Sequence, residues 1–148
     1  MTTYDEKTYG GELVVHYESH EYCFTGAKVK NVKSATSGDD GYNDEITDPV
    51  GLPLKDNAGT WELVEAGNEN TVEGLIVAGP TLEALAPNAS STNTYLILKR
   101  APAVINQDSI SVNDPYGDAY TQADIRTALA ALNFELRTNP TKTTTQTE

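Results

Sequence analysis

The stretch TYLILKRAPAVIN, residues 94–106, carries the strongest strand signal in the chain. Tyr95, Leu96, Ile97 and Leu98 follow one another without a polar break, and Val104 and Ile105 resume the pattern beyond Pro102. Proline has no N–H to give to a ladder, so Pro102 belongs at an edge, a bulge or the start of a strand. Lys99 and Arg100 close the apolar run, either as a contact for a partner's carboxylate or phosphate or as charges that blunt a strand edge.

Moving outward, GLPLKDNAGTWELVEA (51–66) reads as a hairpin. Leu52 and Leu54 alternate, DNAG (56–59) is a turn cluster, and Thr60, Trp61, Leu63 and Val64 form a β-prone run. VEGLIVAG (72–79) is a short apolar strand stopped by Gly79-Pro80. TLEALAPNASST (81–92) has room for one helical turn before Pro87. DSISVNDPYGDAY (108–120) reads as a strand fragment followed by turns.

The C-terminal part changes period. In TQADIRTALAALNFELRT (121–138), Ile125, Ala128, Leu129 and Leu132 fall on one helical face. Thr121 suits the N-cap, with Asp124 three residues on, and Asn133 suits the left-handed position past the end. Phe134 and Leu136 then alternate with Glu135 and Arg137, as in a strand rejoining a sheet. A helix of about three turns is not stable alone in water, so it must cover a sheet. The fold class is therefore mainly β with one or two short helices, one of them C-terminal near 121–132.

Three regions divide the chain. Residues 1–48 are an acidic extension, partly strand-like, with ELVVHYE (12–18) and EYCFTGAKVKNVK (21–33) as its β-prone pieces. SATSGDDGYNDEITDP (34–49) is a long polar loop, a kind that is usually functional or mobile. Residues 49–139 have the composition of a compact domain, and PTKTTTQTE (140–148) is a polar tail expected to be disordered.

The 148 residues carry a net charge of −12. That charge disfavours nucleic acid and anionic membranes as partners and favours a cationic one. No apolar run approaches the roughly 20 residues of a membrane helix, and the polar start MTTYDEKTYGG predicts no signal peptide. One cysteine, Cys23, excludes an internal disulfide framework and suits a reducing cytoplasm as the place of synthesis.

Candidate chemistry is sparse. His16, His20, Glu21 and Cys23 offer metal-ligand atoms, but their neighbours favour a strand, along which residues four apart are separated by about 13 Å. The acidic loop GDDGYNDE (38–45) lacks the spacing of an EF-hand. No G-x-S-x-G and no Gly-rich phosphate loop occurs. The expectation is a binding protein, not an enzyme, with no metal and no cofactor. Leu13, Val14, Val15, His16 and Tyr17 are the strand a neighbour's sheet edge would accept. Trp61 suits a core or subunit-interface anchor, and Lys99 and Arg100 a contact with a subunit or partner.

The order of these features resembles the lambda gpD-like family of bacteriophage head decoration proteins. GLPLKDNAGTWELVEAGN, TVEGLIVAG, TYLILKRAPAVIN and ALAALNFELRTNP follow one another over about residues 49–139. Family members often have glycine after the strand's arginine, where this chain has Ala101-Pro102, and the first 48 residues are longer than a simple arm. The resemblance implies a small β-tulip-like domain, bound as homotrimers to the major capsid protein at local threefold positions outside the expanded head. It implies a role in holding the shell against internal DNA pressure and a place on the virion surface. It also implies that the N-terminal arm pairs with a capsid strand. The competing expectation is a virion or cell-surface binding module, such as a head-fibre base or a carbohydrate-binding β domain.

Overall fold

The computed structural model describes residues 13–30, 49–80, 92–115 and 117–138. The expected helical turn after Pro80, the acidic loop and the C-terminal tail lie outside them.

The protein is mainly β. Strands β2 (Phe24–Lys30), β3 (Pro53–Asn57), β4 (Thr60–Leu63), β5 (Gly74–Ala78) and β6 (Thr92–Leu98) close into a barrel of order β2-β4-β3-β5-β6. Strands β1 (Val14–Tyr17), β7 (Ala103–Asn106) and β8 (Glu135–Arg137) form a second sheet, with β7 in the middle. Helix α1 (His20–Cys23) joins the two at the N-terminal side, and α2 (Gln122–Ala131) precedes β8. The described part of the N-terminal segment is thus built into both sheets.

The stretch 94–106 is two strands in two different sheets. β6 ends at Leu98, the chain turns through Lys99–Pro102 with a cis Ala101-Pro102 peptide, and β7 begins at the next residue. Pro102 stands just before a strand, where no ladder needs its missing N–H.

Register explains the unbroken apolar runs. Residues opposite one another in a ladder share a face. Phe24, Leu98 and Leu75 form one such row, and Thr25, Ile97 and Ile76 form the adjacent row on the other face. Phe24 stacks edge-on against Tyr17 of β1, with ring centroids 4.9 Å apart, so its row faces the second sheet. Ile97 and Ile76 turn into the barrel, beside Tyr95. Both rows are buried, Thr25 only in part, which is why β5 and β6 read as continuous rather than alternating hydrophobics. Burial pushes the Tyr95 phenol up to about 12. Its ring leaves room only for glycine at position 79.

The expected hairpin forms, with Leu54 opposite Leu63 and Asn57 opposite Thr60. Its two-residue turn puts Ala58 and Gly59 at φ 54° and 94°, the positive values that a tight hairpin needs. Asp56 Oδ1 accepts the Gly59 N–H at 2.8 Å and holds the turn.

Helix α2 buries Ile125 and Leu129 completely and packs against the 3-10 turn Glu69–Thr71 and β8. Asn133 takes φ 72°, as expected. Leu132 does not continue the buried face. It is the C-cap residue, past the last turn, and is 38% exposed. Thr121 caps without its hydroxyl; instead its N–H donates to Glu69 Oε2 at 2.7 Å. Residues 107–109 form a 3-10 turn where a strand fragment was expected. The Asn106 side chain accepts the Asp108 N–H there and offers the backbone a local alternative to a ladder.

Candidate functional site

HYESHEYC is not one strand. β1 stops at Tyr17, and Ser19 caps a single helical turn by accepting the Tyr22 N–H at 3.4 Å. This turn carries the chain from the second sheet into the barrel. His20 lies beside Phe24, Cys23 is fully buried, and His16 stays exposed on β1. Among the described residues, no three of His, Cys, Asp and Glu gather as metal ligands.

β1 is held antiparallel to β7, with Val14 opposite Ile105 and Tyr17 opposite Ala103. Leu13 and Val14 are in the core and have no side-chain surface to offer a partner in this state. Val15 and Tyr17 are half-buried and His16 is exposed. β1 is an outer strand of its sheet, and the edge away from β7 pairs with no strand among the described residues.

Trp61, Lys99 and Arg100 come together, although the tryptophan and the lysine stand 38 positions apart in the sequence. All three line one open groove of about 590 Å³. One wall is β2 from Thr25 to Lys28, and the other is the tip of the β3–β4 hairpin. Trp61 is only 7% exposed. Its ring lies over Gly74 of β5, where an added Cβ would come within 3.1 Å of it and 2.7 Å of the Leu98 carbonyl. Glycine at position 74 is therefore what lets the indole settle into the wall. The Lys99 and Arg100 N–H groups both donate to the Cys23 carbonyl, at 2.8 and 3.3 Å. That anchors the turn from which both side chains leave. Arg100 stands 5.2 Å from the ring centroid of Tyr22, which is 53% exposed, a cation–π contact at the rim.

The groove carries mixed charge, unevenly engaged. Glu73 accepts the Asp56 N–H at 3.0 Å, and Asp56 accepts the Gly59 N–H. Lys28, Lys99 and Arg100 have no carboxylate within ion-pair distance among the described residues, whereas Lys55 pairs with Glu62 at 3.8 Å and Arg137 with Glu135. Exposed Leu132 also lines the groove. Tyrosine, tryptophan and arginine around a partly apolar floor are the composition of an interface hot spot.

Two buried carboxylates hold the loops on the helix side. Asp114 accepts the Ala66 and Asp118 N–H groups at 3.0 and 2.9 Å. Glu69 accepts the Gly67 and Thr121 N–H groups at 2.8 and 2.7 Å. The Thr121 N–H leads in holding the Glu69 carboxyl below the usual carboxylate range, against the opposing cost of burial.

The sequence picked out Trp61, Lys99 and Arg100 but not Gly26, Lys28 or Leu132, which complete the lining, nor Gly74 beneath the indole and Tyr22 beside Arg100. The sequence marked EYCFTGAKVKNVK only as β-prone, and nothing within it singled out the β2 wall. Comparison with protein-family models, curated proteins and solved structures found no match to this chain.

Proposed function

We propose that this chain is a decoration protein of a bacteriophage head. In this reading it binds the outside of the expanded shell as trimers at local threefold positions and clamps the major capsid protein against the pressure of packaged DNA. The class comes from the order of sequence signatures set out above. The observation that carries the reading to a site is the meeting of Trp61, Lys99 and Arg100 in one groove. A trimer of modest contacts of this kind gains avidity without any single strong site. A net charge of −12 suits a protein that must stay soluble at high copy number.

The test is co-sedimentation of the full chain with expanded and unexpanded heads of the phage that encodes it. Saturable binding to expanded shells alone is the expected result. Lys99→Glu/Arg100→Glu should bind about tenfold more weakly, the scale of one lost charge-assisted contact. No binding to either shell would end the decoration reading, and binding to a glycan array would then favour the cell-surface module.

A further inference from the structure

One hydrogen bond fixes the phase of the β2–β6 ladder. The Lys99 N–H donates to the Cys23 carbonyl at 2.8 Å, and the register then runs Phe24↔Leu98, Thr25↔Ile97, Gly26↔Leu96, Ala27↔Tyr95 and Lys28↔Thr94. Hydrogen-bonded and non-hydrogen-bonded pairs alternate along an antiparallel ladder. Counting from Cys23–Lys99, Thr25 and Ala27 bond to β6. Gly26 and Lys28 fall on the other phase and turn their N–H groups the opposite way. The next strand agrees: Ile76, opposite Ile97, is bonded on its far side, donating to Leu52 and accepting from Gly51.

On the side to which Gly26 and Lys28 turn, pairing with β4 starts only at Val29↔Trp61. The Gly26 N–H and C=O and the Lys28 N–H therefore face the groove with no strand beside them among the described residues. Only the Thr25 hydroxyl reaches the Gly26 carbonyl, at 3.4 Å. The lining gives the same answer independently. Thr25, Gly26, Ala27 and Lys28 all border the groove. Consecutive side chains leave a strand on opposite faces, so four in a row border one space only where it runs along the strand's edge.

Nothing in the backbone blunts this edge. The β2–β6 register has no bulge, and Gly26 carries no side chain, with Thr94 Cγ2 the nearest atom to an added Cβ at 4.0 Å. From Thr25 to Lys28 the edge along the groove runs about 10 Å, enough for about three or four residues of an extended peptide. Charge selects among such peptides. Lys28, Lys99 and Arg100 are three of the ten Lys and Arg residues of this acidic chain, and all three reach the groove without an ion-pair partner among the described residues.

We infer that the groove takes an extended, acidic segment of a partner protein, added as a strand to the free edge of β2 at Gly26. The inference deepens the proposed binding role and rests on the groove being its contact. Main-chain bonds supply affinity and the three cations supply selectivity.

To test this, the full-length chain is used to select from a display library of random ten-residue peptides. The enriched peptides are then followed by hydrogen exchange. Wild type should enrich acidic, β-prone sequences, and these should slow exchange of the Gly26 and Lys28 amides. Lys28→Glu/Arg100→Glu should weaken them about tenfold or more. Gly26→Pro, which removes the N–H facing the groove, should abolish binding with the melting curve unchanged. The proposal is overturned by a library with no acidic enrichment, by peptides that leave both amides unprotected, or by binding that both variants retain. The same variants go into the shell sedimentation assay. Peptide binding without shell binding sinks decoration and keeps the groove. Shell binding by variants that have lost the peptides keeps decoration and overturns the groove as its contact.

Discussion

Glu69 shows how much one side chain can organise without advertising itself in the sequence. It sits in GNENT (67–71), a stretch of glycine and polar residues, yet it is buried and bridges the Gly67 and Thr121 N–H groups. Its folded pKa lies below the ordinary value of 4.5. Its stabilising contribution is therefore complete above that ordinary value and is lost as pH falls through the lowered one. Glu69→Gln should cost about 1.5–3 kcal/mol at pH 7, the range for hydrogen bonds to a charged acceptor. The gap from wild type in urea unfolding should narrow as pH drops below about 4.5. A gap that is constant from pH 7 to pH 3 would show that the carboxylate's charge plays no part. Trp61 was legible as an anchor because its size demands burial or a partner. Gly26 was not, because a glycine in a strand says only that something approaches or bends there.

At the level of elements, the C-terminal helix was predicted nearly to the residue, and the departure at Leu132 is informative. The periodicity that assigned Ile125, Ala128, Leu129 and Leu132 to one face holds only while the chain remains helical. Leu132 is where it stops, and its side chain leaves the core for the groove rim. Ile125→Ala or Leu129→Ala should cost about 2–5 kcal/mol in chemical denaturation, whereas Leu132→Ser should stay within about 0.5 kcal/mol. Equal losses at positions 129 and 132 would contradict the exposure difference. The β3–β4 hairpin was equally legible, because a two-residue turn with Gly59 sets its own register. The turn of helix at His20–Cys23 was not. Its aromatic residues favour a strand locally, and what overrides them is the need to pass from one sheet to the next, with Ser19 as the cap.

At the scale of the whole molecule, β2 is the strand that closes the barrel. That strand lies between β6 and β4, and without it the barrel has no closing wall. A chain starting at Pro49 should therefore fail to give a cooperative thermal transition and should bind a hydrophobic dye, as expected when Ile97, Leu98 and Tyr95 lose their cover. A cooperative melt of that fragment would mean that the first 48 residues are dispensable. Sequence alone determined the local features: the sign of the charge, the hairpin, the helix and its left-handed stop, and the apolar runs that had to be covered on both faces. These follow from spacings of two to four residues, over which side-chain chemistry and backbone geometry act directly. Tertiary structure alone decided that Leu13 and Val14 are core and that Lys28, Lys99, Arg100 and Trp61 share a groove. It also decided that the edge of β2 at Gly26 is left open. Each of these depends on the register at which distant strands pair, in the second sheet or around the barrel, and that register is set by packing the whole core at once, not by any pattern within a strand.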